Sequence, residues 1–182
     1  MKHRNLNPLL AALFIAAASP VLTVIAAGDP RADAETAIRN LQSADSTLIN
    51  LFTNSAGYAV FPRVGKARLI LGGEPGNGIV YEQGKPAGEA TLTEINGGPQ
   101  VGGQAFYEII FFETAEALEN FKQGHFEMSA KVNTVAAAEG AALAAKYRDG
   151  VLVFTMPRSG LIGQVAIGGQ KFRFRRLAPP PS

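Results

Sequence analysis

The stretch "QAFYEIIFFETAEALENFKQG", residues 104–124, decides how the chain is read. In its first half Phe106, Ile110 and Phe112 alternate with Tyr107, Ile109 and Phe111, so an extended backbone is apolar on both sides. That pattern predicts a strand buried on both faces. The second half changes period. Thr114 is a good N-cap, Ala115 to Lys122 are strong helix formers, and Gly124 closes the segment. A doubly buried strand running into a short helix sets the theme for the rest.

Upstream, the chain reads as strands separated by turn residues. "YAVF" and "ARLIL" are apolar, "GGEPGNG" breaks the run and "IVYE" resumes it. "QGKPAG" is a turn, and "EATLTEI" alternates polar and apolar as a half-exposed strand does. Downstream, "HFEMSAKVNTV", "GVLVFTM" and "LIGQVAIGGQKFRFRRL" read as further strands. "AAAEGAALAA" is divided between helix, favoured by alanine, and loop, favoured by Gly140. Short turns between successive strands predict antiparallel pairing. Ahead of the strands, Ala34, Ile38, Leu41, Leu48, Ile49 and Phe52 fall near the spacing of one helix face, with Asp33 as N-cap and a stop near Asn54 and Gly57. The expected fold class is α+β. It comprises a mainly antiparallel, strongly curved or barrel-like sheet, an N-terminal amphipathic helix and one or two short helices packed on it.

The N-terminus carries an address. "MKHRN" is a basic head, "LLAALFIAAA" is an apolar run, and small residues follow to Ala27. This order predicts a secretory signal peptide over residues 1–27, with a second cleavage point after Ala34. A single domain over 35–177 and a loose tail over 178–182 complete the organisation. The 182 residues suffice for one domain with a real core, and 47% of them are hydrophobic. Zero cysteines remove disulfides, thiolate metal sites, cysteine nucleophiles and a lipoprotein anchor. The whole chain is formally +2; removal of Lys2 and Arg4 with the leader brings the balance to zero. A uniformly basic nucleic-acid binder is therefore not expected, and any electrostatic function must come from local patches.

The glycines between Gly65 and Gly78 invite a phosphate-loop reading, but no Lys-Ser or Lys-Thr follows them and the next segment is strand-like. A hairpin turn fits better. His125 is the one histidine outside the leader, no G-x-S-x-G elbow occurs, and the carboxylates are scattered. No enzyme chemistry and no cofactor are expected. What remains is basic clustering. Arg63, Lys66 and Arg68 lie close together, and "KFRFRR" puts Lys171, Arg173 and Arg175 on one strand face with Phe172 and Phe174 on the other. The plain reading is a solvated face that discourages edge pairing. The functional reading is an anionic-surface site, where each cation near acidic headgroups contributes about 1 kcal/mol.

Three segments, "SAGYAVFPRVGKARLILGGEPGNGIVY", "GGPQVGGQAFYEIIFFETAEALENF" and "VLVFTMPRSGLIGQVAIGGQKF", together resemble the SYLF domain. The resemblance runs from about Leu48 to Leu177, and the G-Y-A-V-F-P and S-G-L-I-G elements carry it. That family includes lipid- and actin-binding modules of membrane-trafficking proteins and many exported bacterial proteins. It implies a non-enzymatic module for acidic phospholipids; the basic clusters, Arg63, Lys66, Arg68, Lys171, Arg173 and Arg175, joined by Arg158 and Arg176, would then supply the headgroup contacts. Many bacterial relatives look like lipoproteins; this chain, lacking cysteine, is expected to be released as an exported, periplasmic or peripherally membrane-associated protein. Phosphatidylglycerol, cardiolipin or lipopolysaccharide would be the accessible partners in a bacterial envelope. The alternative is an envelope protein–protein interaction module that uses an apolar face or edge strand.

Overall fold

The structure, a computed structural model, describes residues 29–65, 76–96, 105–128, 134–159 and 169–177. The leader, the 178–182 tail, Lys66 and Arg68 lie outside them.

Two helices open the described chain, α1 (Pro30–Ala44) and α2 (Leu48–Asn54). The expected N-cap at Asp33 is corrected. Asp29 caps the helix by accepting from the Arg31 amide at 3.0 Å, Pro30 opens it, and Asp33 lies in the first turn. The single helix expected to reach Asn54 is also broken, at Asp45, whose backbone is extended. The break resets the helical phase. Leu48 is buried and Leu51 and Phe52 are half-buried, whereas Ile49, expected on the apolar face, is 57% exposed.

The strands are β1 (Gly57–Val64), β2 (Asn77–Glu82), β3 (Lys85–Asn96), β4 (Phe106–Phe112), β5 (Glu127–Met128), β6 (Thr134–Ala136), β7 (Val151–Pro157) and β8 (Gly169–Arg176). Helices α3 (Ala115–Lys122) and α4 (Ala141–Ala144) interrupt them. The turn expected over "QGKPAG" is only Gln83–Gly84, both at positive φ, as a two-residue hairpin requires; Lys85 already starts β3. Helix α3 forms as its sequence predicts: the Thr114 hydroxyl accepts from the Ala117 amide at 3.1 Å, and Gly124 takes the left-handed φ of +74°. The alanine-rich segment resolves into both of its alternatives, a loop followed by the short α4.

The eight strands form one sheet in the order β5-β8-β3-β2-β1-β4-β7-β6. Every pairing is antiparallel except β6–β7, which is parallel, so the sheet is mainly antiparallel as expected. The cause of the parallel pair is the connection: α4 lies between the two strands and returns the chain to run alongside β6.

The sheet is strongly curved. Strands β1 and β8 stand three positions apart, roughly 14 Å in a flat sheet, yet the rings of Phe61 and Phe172 lie 5.2 Å apart. The two edge strands, β5 and β6, are joined through six residue steps, a reach of no more than about 22 Å. A flat eight-stranded sheet would separate them by roughly 34 Å. Among the described residues no ladder joins β5 to β6, so the barrel is approached but not closed.

Curvature gives the sheet two different faces. The concave face holds Phe61, Phe106, Ile110, Phe112, Val153 and Phe172, and α3 plugs it with Leu118 and Phe121. The convex face carries Tyr58, Ile109, Phe111 and Phe154 beneath α2 and α1, the latter with small, buried Ala34 and Ala37 that allow close approach. β4 is buried at all seven positions and supplies both cores, as its double apolar pattern predicts. No helix among the described residues is long and apolar enough to cross a membrane.

Candidate functional site

Two groups of cations take shape. The first depends on register. Val64 pairs with Phe106, and Phe106 pairs with Pro157, which brings the end of β1, the start of β4 and the end of β7 side by side. Arg63 and Arg158, 95 positions apart in sequence, consequently line one open cavity of about 440 Å³ with Ala105 and Ser159. The Arg158 amide donates to the Ala105 carbonyl at 3.0 Å and fixes the backbone there. Its guanidinium sits 5.3 Å from the centre of the Tyr107 ring, within cation–π range. The Tyr107 hydroxyl in turn accepts from the Asn40 amide group on α1 at 2.9 Å. Asn40 and Tyr107 thus position Arg158. Nothing local in the sequence marks them, because the contact spans 67 residues.

The second group is on β8. Lys171, Arg173, Arg175 and Arg176 are exposed, Phe172 is buried and Phe174 half-buried, so the alternation read from "KFRFRR" is present. Lys171 and Arg173 border a cavity of about 360 Å³ with Lys122, Gly124 and Phe126. Ion pairs already engage some of the cations in this group. Arg175 is ion-paired with Glu89 across the β3–β8 ladder, and Lys122, nearly buried, contacts Glu82 at 2.7 Å. The two cavities share no lining residue, so the described cations form two sites.

The glycines that suggested a phosphate loop are partly visible. A Cβ on Gly78 would lie 2.6 Å from the Phe61 ring, so this glycine serves close packing inside the β1–β2 hairpin. His125 is exposed after α3, its amide donating to Asn120. Among the described residues no three His, Cys, Asp or Glu side chains gather as metal ligands would.

Two buried carboxyls escaped the sequence reading. Asp45, at the break between α1 and α2, accepts from the Thr47 amide (3.0 Å) and hydroxyl, the Gly140 amide (3.1 Å) and the Ala142 amide (2.8 Å). Burial would raise its pKa, but the Thr47 hydroxyl and the three amides outweigh it and hold the carboxyl below its ordinary value. Glu108, on the concave face of β4, accepts from Gln170 at 3.0 Å, its one side-chain partner among the described residues. Burial pushes its pKa up to about 7, against which that one hydrogen bond does little. The local signals were a lone acid inside "FYEIIFF" and the helix-breaking "ADST".

No family model matches the chain. It is similar to Beta cell expansion factor A of Aeromonas veronii, 29% identical over 142 residues. The alignment covers 76% of this chain and 53% of the relative, so the chain spans about half the length of the curated protein it matches.

Proposed function

We propose that this is an exported, non-enzymatic module of the SYLF type that binds anionic phospholipid surfaces peripherally, through two basic sites. The three SYLF-like segments and the similarity to Beta cell expansion factor A support the family placement. The observation that carries the binding reading is the meeting of Arg63 and Arg158 at one open cavity, from opposite halves of the chain. Two guanidiniums at a shared opening suit a phosphate group, which each can engage bidentately. The exposed Lys171 and Arg173 on β8 add a second point of attachment. Lys66 and Arg68 belong to the proposal through sequence alone. Export through residues 1–27 completes the reading, with cleavage after Ala27. Cutting after Ala34 would remove the Asp29 cap and a fully buried alanine from α1.

The test is co-sedimentation of the chain starting at Gly28 with phosphatidylglycerol or phosphatidylcholine vesicles at low and high salt. Binding is expected only to the anionic vesicles and should weaken with salt. The double variant Arg63→Ala/Arg158→Ala should lose about thirtyfold in affinity, from roughly 1 kcal/mol per cation. Equal binding to both lipids, or binding indifferent to salt, overturns the mechanism.

One observation favours a second reading, a protein-binding module. β5 pairs with only Lys171 and Gln170, so beyond them the outer edge of β8 has no strand partner among the described residues. An extended partner segment could add there. Photo-crosslinking from position 173 in intact cells distinguishes the two, since it would then capture a discrete protein rather than lipid.

A further inference from the structure

The concave core contains a polar cluster in an otherwise apolar interior. Glu108 on β4, Thr155 on β7 and Gln170 on β8 are all buried, at 0%, 0% and 1% exposure. Glu108 and Thr155 are direct cross-strand partners, which places their Cβ atoms about 5 Å apart on one face. Gln170 comes from four strands away in the sheet order and reaches Glu108 because the sheet curls, its amide nitrogen donating to Oε2 at 3.0 Å. Three oxygens in this cluster have no hydrogen-bond partner among the described residues: Glu108 Oε1, Thr155 Oγ1 and Gln170 Oε1. Buried polar atoms are satisfied in the great majority of native structures, and three orphans at one spot point to a missing electropositive guest.

The chemistry narrows the guest. All three free atoms are hard oxygens, the donor type that alkali and alkaline-earth cations take. The site offers one carboxylate, and among the described residues no charged group acts on it. Its other neighbours, such as Phe61 on β1 and Ile110 on β4, are apolar. One negative charge balances one monovalent cation and leaves a divalent ion over-charged in a dry interior. Mg²⁺ also demands a near-octahedral set and keeps its waters. We infer that Glu108, Thr155 and Gln170 form an internal site for a single alkali-metal cation, which joins β4, β7 and β8 across the concave core. An occupied site would hold the sheet curled from inside, independently of what the outer cations bind.

The test compares thermal unfolding in sodium or potassium chloride with unfolding in tetramethylammonium chloride of equal ionic strength, in alkaline buffer. Tetramethylammonium is too bulky for a close-packed interior. A tenfold excess of Na⁺ or K⁺ over its Kd raises the folding constant about elevenfold, which appears as a midpoint about 3–6 °C higher. Glu108→Gln should abolish this difference. Thr155→Val keeps the carboxyl but removes one ligand, and should cut the difference at least by half. Identical midpoints in the three salts for the unmodified chain overturn the inference. So does a difference that survives undiminished in either variant, since the cation would then act elsewhere.

Discussion

Asp45 and Glu108 are both buried carboxyls, one on the convex side and one on the concave, and they titrate in opposite directions. Asp45 has four donors, three of them backbone amides, and is held below its ordinary value. Glu108 has one donor from a neutral amide and is pushed up to about 7. Burial alone does not decide the charge of a carboxyl; the number of hydrogen bonds that survive burial does. The convex side surrounds Asp45 with helix ends and turns, whose backbone N–H groups are spare. The concave side surrounds Glu108 with strands, whose N–H groups are committed to the sheet.

The largest effect is expected at Asp45. Asp45→Ala would orphan the amides of Gly140 and Ala142 and cut the tie between the α1–α2 joint and the start of α4. Its expected cost is about 3–4 kcal/mol, from several charge-assisted hydrogen bonds, measurable by urea unfolding at neutral pH. Because the folded pKa of Asp45 is depressed, its contribution is complete above 3.8 and fades as pH falls through the folded value. Asp45→Ala should therefore lose part of its deficit in acid.

Glu108 has the reverse sign. A raised folded pKa makes its contribution complete below 4.5 and lost progressively as pH climbs to about 7. In tetramethylammonium salts, Glu108→Gln should match the unmodified chain below 4.5 and exceed it above 7 by roughly 3 kcal/mol. A smaller effect tests the packing around the same core. Gly78→Ala drives a methyl to 2.6 Å from the Phe61 ring and should cost about 2 kcal/mol, seen as a lower urea midpoint. A phosphate-loop glycine exposed to solvent would show no such loss. The smallest change lies at the helix that plugs the concave face: Thr114→Ala removes one cap bond, about 1 kcal/mol, without altering either titration.

Local patterns in the sequence carried much of this fold. The double apolar alternation of β4, the Thr114 cap and Gly124 stop of α3, and the outward cations of β8 all follow from neighbours in the chain, and the structure contains each of them. Features that depend on distant segments were not legible. Asp45 breaks a helix because its carboxylate finds amides 95 and 97 residues away, which no helical period encodes. The strong curl was expected, but the inward meeting of Glu108 with Gln170 required the strand order that produces it. For the candidate site, sequence named Arg63 and Arg158 separately, while only the register of β1, β4 and β7 joined them. It placed Arg175 among the headgroup contacts without its Glu89 partner.

The most direct test of this account is the carbon-13 titration of the side-chain carboxyls, assigned by difference against Asp45→Asn and Glu108→Gln, in tetramethylammonium salts. Glu108 is expected to titrate near 7 and Asp45 below 3.8. Midpoints for both near ordinary carboxylate values would contradict it, because Glu108 would then be in contact with water and the sheet could not be curled around it.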